Sequence, residues 1–309
     1  MPPPPTEDPP GQDPPGQNPP RQDPPGAGQR SFLGPRDVRD LLARHALAPR
    51  KHLGQNFVVD ANTVRKVVRD AGVAPGDLVV EVGPGLGSLT VALRTAGAQV
   101  VAVELDAGMV RALRAVVGDD PGVRVVAADA VKVDHVALTG GRPAALVANL
   151  PYNAATPIVV AALESGAYSR LLVMVQKEVG RRWAAKVGDP LYAGISVKLA
   201  ALADVRIAGP VSRAAFWPVP RVDSVTVRLD PRPYDQAVGR VHLFALVGAG
   251  FAQRRKRLRN ALAAAGHAPA EVEAALVATG RDPGARAEEL DLSAWAALAG
   301  ALPPAHEPP

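Results

Sequence analysis

The sequence predicts an α/β fold in which a mainly parallel sheet, covered by helices on both faces, is followed by a smaller helical domain. Three observations carry this. Short β-branched runs alternate with helical stretches from Leu78 to Asp230, a glycine-rich turn joins the first such run to the first such helix, and the chain beyond about Val241 shows helical spacing only. In chain order, residues 1 to about 30 carry an imperfect five-residue repeat, with blocks starting at Asp8, Asp13, Asn18 and Asp23, a composition that cannot bury a core and reads as a disordered tail. Ordered structure is expected from near Gly34, with Asp37 as a helix cap ahead of Val38, Leu41 and Leu42. Strands follow at Leu78-Glu81, Gln99-Glu104, Val123-Ala127, Ala145-Asn149 and Leu171-Gln176. Val205-Ile207 and the alternating Val222-Val225-Val227-Leu229 have no clear helix between them, which predicts an antiparallel pair at one sheet edge. The spacing of Leu243-Leu246-Val247 and of Val272-Leu276 marks the helices of the second domain. The expected boundaries are therefore a tail over 1–32, a catalytic α/β domain over 33–230 and a helical domain over 231–309.

The bulk composition excludes several classes of function. With 309 residues, 47% apolar and 4% aromatic, the interior must be built from Ala, Val and Leu. Cysteine is absent, which removes disulfides, thiolate metal sites and cysteine nucleophiles, and the six histidines show no paired ligand spacing, so no metal is expected. No run approaches the roughly 18 apolar residues of a membrane span, and no basic-then-apolar leader is present, so a cytoplasmic protein is expected. The net charge of +5 is mild, yet residues 231–260 hold seven Arg or Lys against Asp235 alone.

Glu81-Val82-Gly83-Pro84-Gly85-Leu86-Gly87 follows the first strand and precedes the helical pattern Leu89-Val91-Ala92-Leu93, so Gly83 and Gly85 are placed for close backbone approach to a ligand. The second strand ends in Val103-Glu104-Leu105-Asp106, which puts the Glu104 carboxylate where doubly wound folds grip ribose hydroxyls and leaves Asp106 to cap the next helix. Asp129, just after the third strand, is positioned either to accept from a cofactor adenine or merely to cap a turn. The Gly-x-Gly-x-Gly spacing, where dinucleotide enzymes favour Gly-x-Gly-x-x-Gly, tilts the choice from NAD toward S-adenosyl-L-methionine, which has no pyrophosphate to seat.

After the fourth strand comes Asn149-Leu150-Pro151-Tyr152, which resembles the Asn/Asp-Pro-Pro-Tyr signature of methyltransferases acting on ring-conjugated amines. An exocyclic adenine nitrogen is a poor nucleophile because its lone pair is delocalised into the ring. Acceptors for its hydrogens favour a more tetrahedral nitrogen, and the Asn149 side-chain oxygen and the Pro151 carbonyl are of the right type. Tyr152 offers a face on which a swung-out base stacks. Phe216, in Phe216-Trp217-Pro218, either closes the other face of that base or packs in the core; the sequence leaves both open.

With these residues in view, the chain resembles the bacterial 16S rRNA adenine N6,N6-dimethyltransferase family, whose relatives include 23S rRNA resistance methyltransferases and mitochondrial rRNA dimethyltransferases. The resemblance runs from about Lys51 to Asn260 and takes in Leu53-Gly54-Gln55-Asn56-Phe57, the glycine loop, Val103-Glu104-Leu105-Asp106, Asn149-Leu150-Pro151-Tyr152, Gln176-Lys177-Glu178-Val179, Pro218-Val219-Pro220-Arg221-Val222-Asp223-Ser224 and Phe251-Ala252-Gln253-Arg254-Arg255-Lys256. It implies a Rossmann-like class I methyltransferase fold. It further implies that Asn56 and Val58, with Asn149, contact the cofactor, and that the substrate is a pair of adjacent adenines near the 3′ end of small-subunit rRNA, each methylated twice during subunit assembly. A monomer working on 16S rRNA is the expected form. Two departures stand out: Val58 replaces a usual leucine, and Ala193 stands after Tyr192 where glycine is common, which puts the local turn in doubt. Arg254, Arg255, Lys256, Arg257 and Arg259 are expected on one helix, where like charges repel unless a phosphate backbone faces them. The competing readings are a 23S rRNA enzyme with the same motifs and a non-catalytic assembly factor on the same fold.

Overall fold

The computed structural model describes residues 32–50 and 55–304; the repeat segment and the Leu53-Gly54 pair lie outside them. The elements are α1 (Pro35–Arg44), β1 (Phe57–Val58), α2 (Ala61–Asp70), β2 (Leu78–Val82), α3 (Ser88–Thr95), β3 (Gln99–Glu104), α4 (Ala107–Val117), β4 (Val123–Ala127), α5 (His135–Thr139), β5 (Ala144–Asn149), α6 (Ala155–Ser165) and β6 (Tyr168–Gln176). They continue as α7 (Lys177–Ala184), α8 (Gly194–Leu202), β7 (Ala203–Val211), β8 (Phe216–Trp217), β9 (Ser224–Pro231), α9 (Arg240–Ala252), α10 (Leu258–Ala263), α11 (Pro269–Ala278) and α12 (Leu292–Ala301).

Seven strands form one sheet in the order β4-β3-β2-β5-β6-β9-β7. The first five are parallel, and β9 runs antiparallel to both β6 and β7. The expected antiparallel pair is thus at the edge, with the later strand of the two inserted inside. A strand buried on both faces needs apolar residues at every position, and β2, Leu-Val-Val-Glu-Val, is buried throughout. Successive side chains point to opposite faces. Leu78, Val80 and Val82 join the core under α5 to α8, whereas Val79 joins the one under α2 to α4. Helix starts follow local chemistry: Asp60, Asp106, Asp134 and Asp291 each accept a backbone N–H at the first turn of α2, α4, α5 and α12.

The helical segment packs α9 to α12 around Trp295, Leu243 and Leu258, and the same cluster takes in Tyr192 and Val197 from the α/β part. The Tyr192 hydroxyl donates to the Leu290 carbonyl at 2.9 Å.

Four local expectations change. Asp37 does not cap α1; Gly34 holds the cap position, and Asp37, three residues on, accepts the Gly34 N–H at 2.8 Å. Ala193 is extended (φ −150°, ψ 170°) at the start of α8, a conformation open to any residue, so the turn does not require glycine. The pairing of β1 with β8, Phe57 opposite Trp217 and Val58 opposite Phe216, has no counterpart in the expected elements. Finally, the basic run does not share one helix: α9 ends at Ala252 and α10 begins at Leu258, with Arg254 to Arg257 in the turn between them.

Gly180 on α7 lets that helix press onto β9, because a Cβ there would meet methyl groups of Val225 and Val227. Overpacking of this kind costs about 1–3 kcal/mol. Gly180→Ala is therefore expected to lower the urea midpoint with little change in slope; an unchanged midpoint would show that α7 is free to withdraw.

Candidate active site

The carboxyl ends of β2, β3 and β5 converge on a cavity of about 840 Å³. Ligands in open α/β sheets bind at this edge because the strand faces are covered and only the strand ends expose polar groups. The floor is the glycine loop after β2. Gly83, Gly85 and Gly87 have φ of 69°, 56° and 94°, all in the left-handed region. A Cβ on Gly85 would lie 3.0 Å from the Phe57 ring and would narrow the cradle, and one on Gly87 would lie 2.8 Å from Leu113 in the core beneath it.

Glu104, the last residue of β3, lies on the cavity wall and is 9% exposed. Its two oxygens accept the Gly85 N–H at 3.1 Å and the Asp106 N–H at 2.9 Å, which ties the β3 end to the glycine loop. Burial raises its pKa, opposed by these backbone donors. Each carboxylate oxygen keeps further acceptor capacity for ribose hydroxyls. Leu105 beside it is 72% exposed and lines the same wall, an apolar face next to the carboxylate.

Asn149 closes β5 at the opposite wall, and its side-chain Nδ2 donates to the Asn56 carbonyl at 2.9 Å. One of the two Nδ2 hydrogens is thus committed to the loop, and no bond to Oδ1 is found among the described residues, which leaves it able to accept. Asn56 and Val58 also line the cavity, and Val58 is 5% exposed. The β1–β8 ladder and the Val59 N–H to Ala215 carbonyl bond at 2.8 Å hold this segment against the sheet. Pro151 lines the cavity as well, but its carbonyl already accepts the Ala154 N–H at 3.1 Å, leaving one lone pair.

Three expected site residues lie outside the cavity lining. Tyr152 is half-buried outside the cavity lining, its hydroxyl 3.1 Å from Ser224 Oγ. Phe216 is 1% exposed within the core cluster under α2 to α4, so it packs in the core and offers no face to a base. Burying its ring against Val58, which pairs with it across the ladder, outweighs any stacking at a wet rim. Asp129 lies beside the cavity, outside its lining; its Oδ1 accepts the Val131 N–H at 2.9 Å, as in a turn cap, and Oδ2 lies 3.9 Å from Lys132.

Glu81 had no role in the sequence reading, although a lone carboxylate in an otherwise apolar strand was its visible signal. It is 1% exposed, borders the cavity and accepts the Thr90 hydroxyl at 2.6 Å. Burial pushes its pKa up to about 8, with Thr90 opposing the shift and the nearby Glu104 charge adding to it. Of the basic run, Arg254 pairs with Glu288 and donates to the Pro190 carbonyl, and Arg259 pairs with Glu273. Arg255, Lys256 and Arg257 are exposed and, among the described residues, form no ion pair; exposed Arg286 adjoins them through a backbone bridge to Arg257. Among the described residues no cluster of ligating side chains holds a metal, and no helix is long and apolar enough to cross a membrane.

The family model described as ribosomal RNA adenine dimethylase matches residues 46–297. The ribosomal RNA small subunit methyltransferase A of Streptomyces griseus is 51% identical over 278 residues, 87% of this chain and 94% of that protein. Its namesake from Kineococcus radiotolerans is 50% identical over 284 residues, 90% of this chain and 92% of that protein. Among solved structures, the 23S rRNA methyltransferase ErmE aligns with a TM-score of 0.60 at 28% identity, covering 80% of this chain and 99% of that one. A dimethyladenosine transferase from Plasmodium falciparum aligns with a TM-score of 0.61 at 23% identity, over 77% of this chain and 94% of that one, a likeness of fold.

The raised pKa of Glu81 sets a pH dependence of stability. A carboxyl that titrates near 4.5 when unfolded and near 8 when folded favours the fold while protonated, so its contribution is complete below about 4.5 and is lost as pH rises through 8. Glu81→Gln keeps the Thr90 bond without the charge. Thermal melts are expected to show its advantage over wild type growing from near nil at pH 4.5 to its maximum above pH 8; a constant difference would refute the assignment.

Proposed function

The chain belongs to the ribosomal RNA adenine dimethylase family, and from that premise we propose how its residues divide the work. The protein is an S-adenosylmethionine-dependent enzyme that dimethylates N6 of adenine in small-subunit rRNA. S-adenosylmethionine supplies a methyl group already activated on a sulfonium, so the protein's task is alignment more than base catalysis. Glu104 holds the ribose hydroxyls, Leu105 offers an apolar face to the adenine ring, and Gly83 and Gly85 admit the backbone close to the ligand. Asn56 and Val58 shape the methionine end.

Asn149 accepts a hydrogen of the target amine and turns the nitrogen lone pair toward the donor, with the remaining lone pair of the Pro151 carbonyl as second acceptor. Tyr152 stacks the target base. The amine loses its proton late, to water. The observation that supports this reading is the Asn149 to Asn56 bond, which turns the amide nitrogen to the loop.

The α/β part over 33–230 carries the chemistry and the helical part over 231–309 meets rRNA, through exposed Arg255, Lys256 and Arg257 with Arg286 beside them. Arg254 and Arg259, each paired to a glutamate, shape that surface. The working form is a cytoplasmic monomer acting on 16S rRNA in the assembling small subunit, at two adjacent adenines near the 3′ end. A 23S target is disfavoured because the small-subunit relatives share about half of their residues with this chain, whereas the 23S enzyme ErmE shares 28%. A non-catalytic role is disfavoured by the intact acceptor geometry.

Incubation with labelled S-adenosylmethionine and under-methylated small subunits, followed by mapping, is expected to place N6,N6-dimethyladenine in 16S rRNA. Label confined to 23S rRNA would overturn the target, and no label would favour an assembly factor. Asn149→Ala is expected to lower transfer about 100-fold or more while cofactor affinity holds. Glu104→Ala should instead weaken cofactor binding about tenfold or more; equal effects on both readouts from both variants would undo the division.

Charge reversal at Arg255 or Lys256 should weaken subunit binding and reduce the salt slope by about 0.9 for each phosphate that is no longer neutralised. Arg254→Ala should instead lower stability, because it removes the ion pair with Glu288.

A further inference from the structure

Ser224 opens β9, and because β9 runs antiparallel to β6 its first residue arrives at the sheet edge where the active-site strands end, directly opposite Gln176. The other side of Ser224 pairs with Val211 of β7, so its backbone is held from both flanks. Asp223 before it is fixed as well. Its carbonyl accepts the Lys177 N–H at 2.9 Å, and its carboxylate accepts the Arg213 N–H at 3.1 Å. The Ser224 side chain is 1% exposed and its Oγ meets the Tyr152 hydroxyl at 3.1 Å.

Tyr152 itself sits in a short turn, two residues past Leu150, whose N–H is anchored to the Met174 carbonyl at 3.1 Å. A ring on such a turn rotates freely about two side-chain bonds unless something holds its far end. Stacking alone needs only the ring, which phenylalanine supplies. A phenol that reaches into the sheet for a buried serine has its outer atom fixed too.

We propose that Ser224 is a positioning residue for the target adenine: its buried hydroxyl anchors the Tyr152 phenol to the rigid start of β9 and so sets the plane on which the base stacks. This rests on the reading of Tyr152 as the stacking platform. In-line displacement requires the amine lone pair to point along the axis of the bond being broken, and a tilted base plane swings that lone pair away while leaving the base bound. The loss therefore falls on turnover, not on affinity.

The test compares Ser224→Ala, Tyr152→Phe, the double variant, Ser224→Thr and Tyr152→Ala in steady-state methylation of small subunits lacking the modification, well below each variant's melting temperature. Ser224→Ala and Tyr152→Phe each remove the same bond without touching the ring. Each is expected to lower kcat about three- to tenfold, with KM for the subunit and Kd for the cofactor unchanged. The double variant should be no worse than either single one, and Ser224→Thr, which keeps the hydroxyl, should recover kcat. If Ser224→Ala and Tyr152→Phe melt earlier but turn over like wild type, the bond is structural only and the proposal falls. Tyr152→Ala separates the two readings: inactive Tyr152→Ala beside fully active Tyr152→Phe keeps the platform and removes the anchor, whereas fully active Tyr152→Ala removes the platform itself. Tyr152→Phe alters no buried packing, so the comparison survives a Ser224→Ala protein that fails to fold.

Discussion

Covering a parallel sheet on both faces is the constraint from which the rest of this structure follows. Apart from Gln99 at the start of β3 and Asn149 at the end of β5, the side chains along β2, β3 and β5 are buried on both faces, so those strands are nearly continuous Val, Ala and Leu. Polar chemistry is confined to the strand ends, where burial is incomplete and backbone donors lie free. Glu104 and Asn149 are both last residues of their strands, and each is satisfied by main-chain groups of a neighbouring loop. Glu81 breaks the pattern one residue before its strand ends, and the fold meets that cost by keeping it neutral over most of the pH range.

Features governed by local pattern were legible in the sequence. The strand runs, the Asp106 cap of α4 and the glycine turn depend on residues within a few positions of each other, and the structure puts them where the sequence reading did. Features decided by distant contacts were not. The β1–β8 ladder is two residues long and joins segments about 160 positions apart in sequence, too short for any periodicity to register. Asp129 carries the same residue type that grips a ligand or caps a turn, and only the cavity's outline separates the two uses. Phe216 was ambiguous for the same reason, since an aromatic beside a proline reads alike at a rim and in a core. The basic run looked helical by composition, but Arg254 is drawn to Glu288 and the chain turns there, which splays charges that a helix would have stacked.

The two-residue ladder has more influence than its length suggests. It fixes Phe57 and Val58 against Phe216 and Trp217, and this places the Asn56 carbonyl where the Asn149 amide needs an acceptor. On the proposed division of roles, the segment at the methionine end of the cavity therefore also orients the group that meets the amine. Cofactor site and target site share one backbone support, and a displacement of residues 55–58 would disturb both.

On the proposed reading of Asn149 as the acceptor, that support explains why the residue is an amide. An aspartate at position 149 would carry no donor for the Asn56 carbonyl and would set a carboxylate oxygen against a carbonyl oxygen at 2.9 Å, a repulsion. An asparagine donates to the loop on one side and, on the proposed reading, keeps its oxygen for the base on the other. Its orientation is then fixed by a bond that exists before the substrate arrives, so no reorganisation is required at the moment of transfer. The surrounding groups are arranged by the same rule: the Glu104 carboxylate is held by two backbone amides, and the exposed cations Arg255, Lys256 and Arg257 lie in the helical part. On the proposed reading, the carboxylate is met by backbone dipoles and the transfer proceeds among neutral contacts that only set direction.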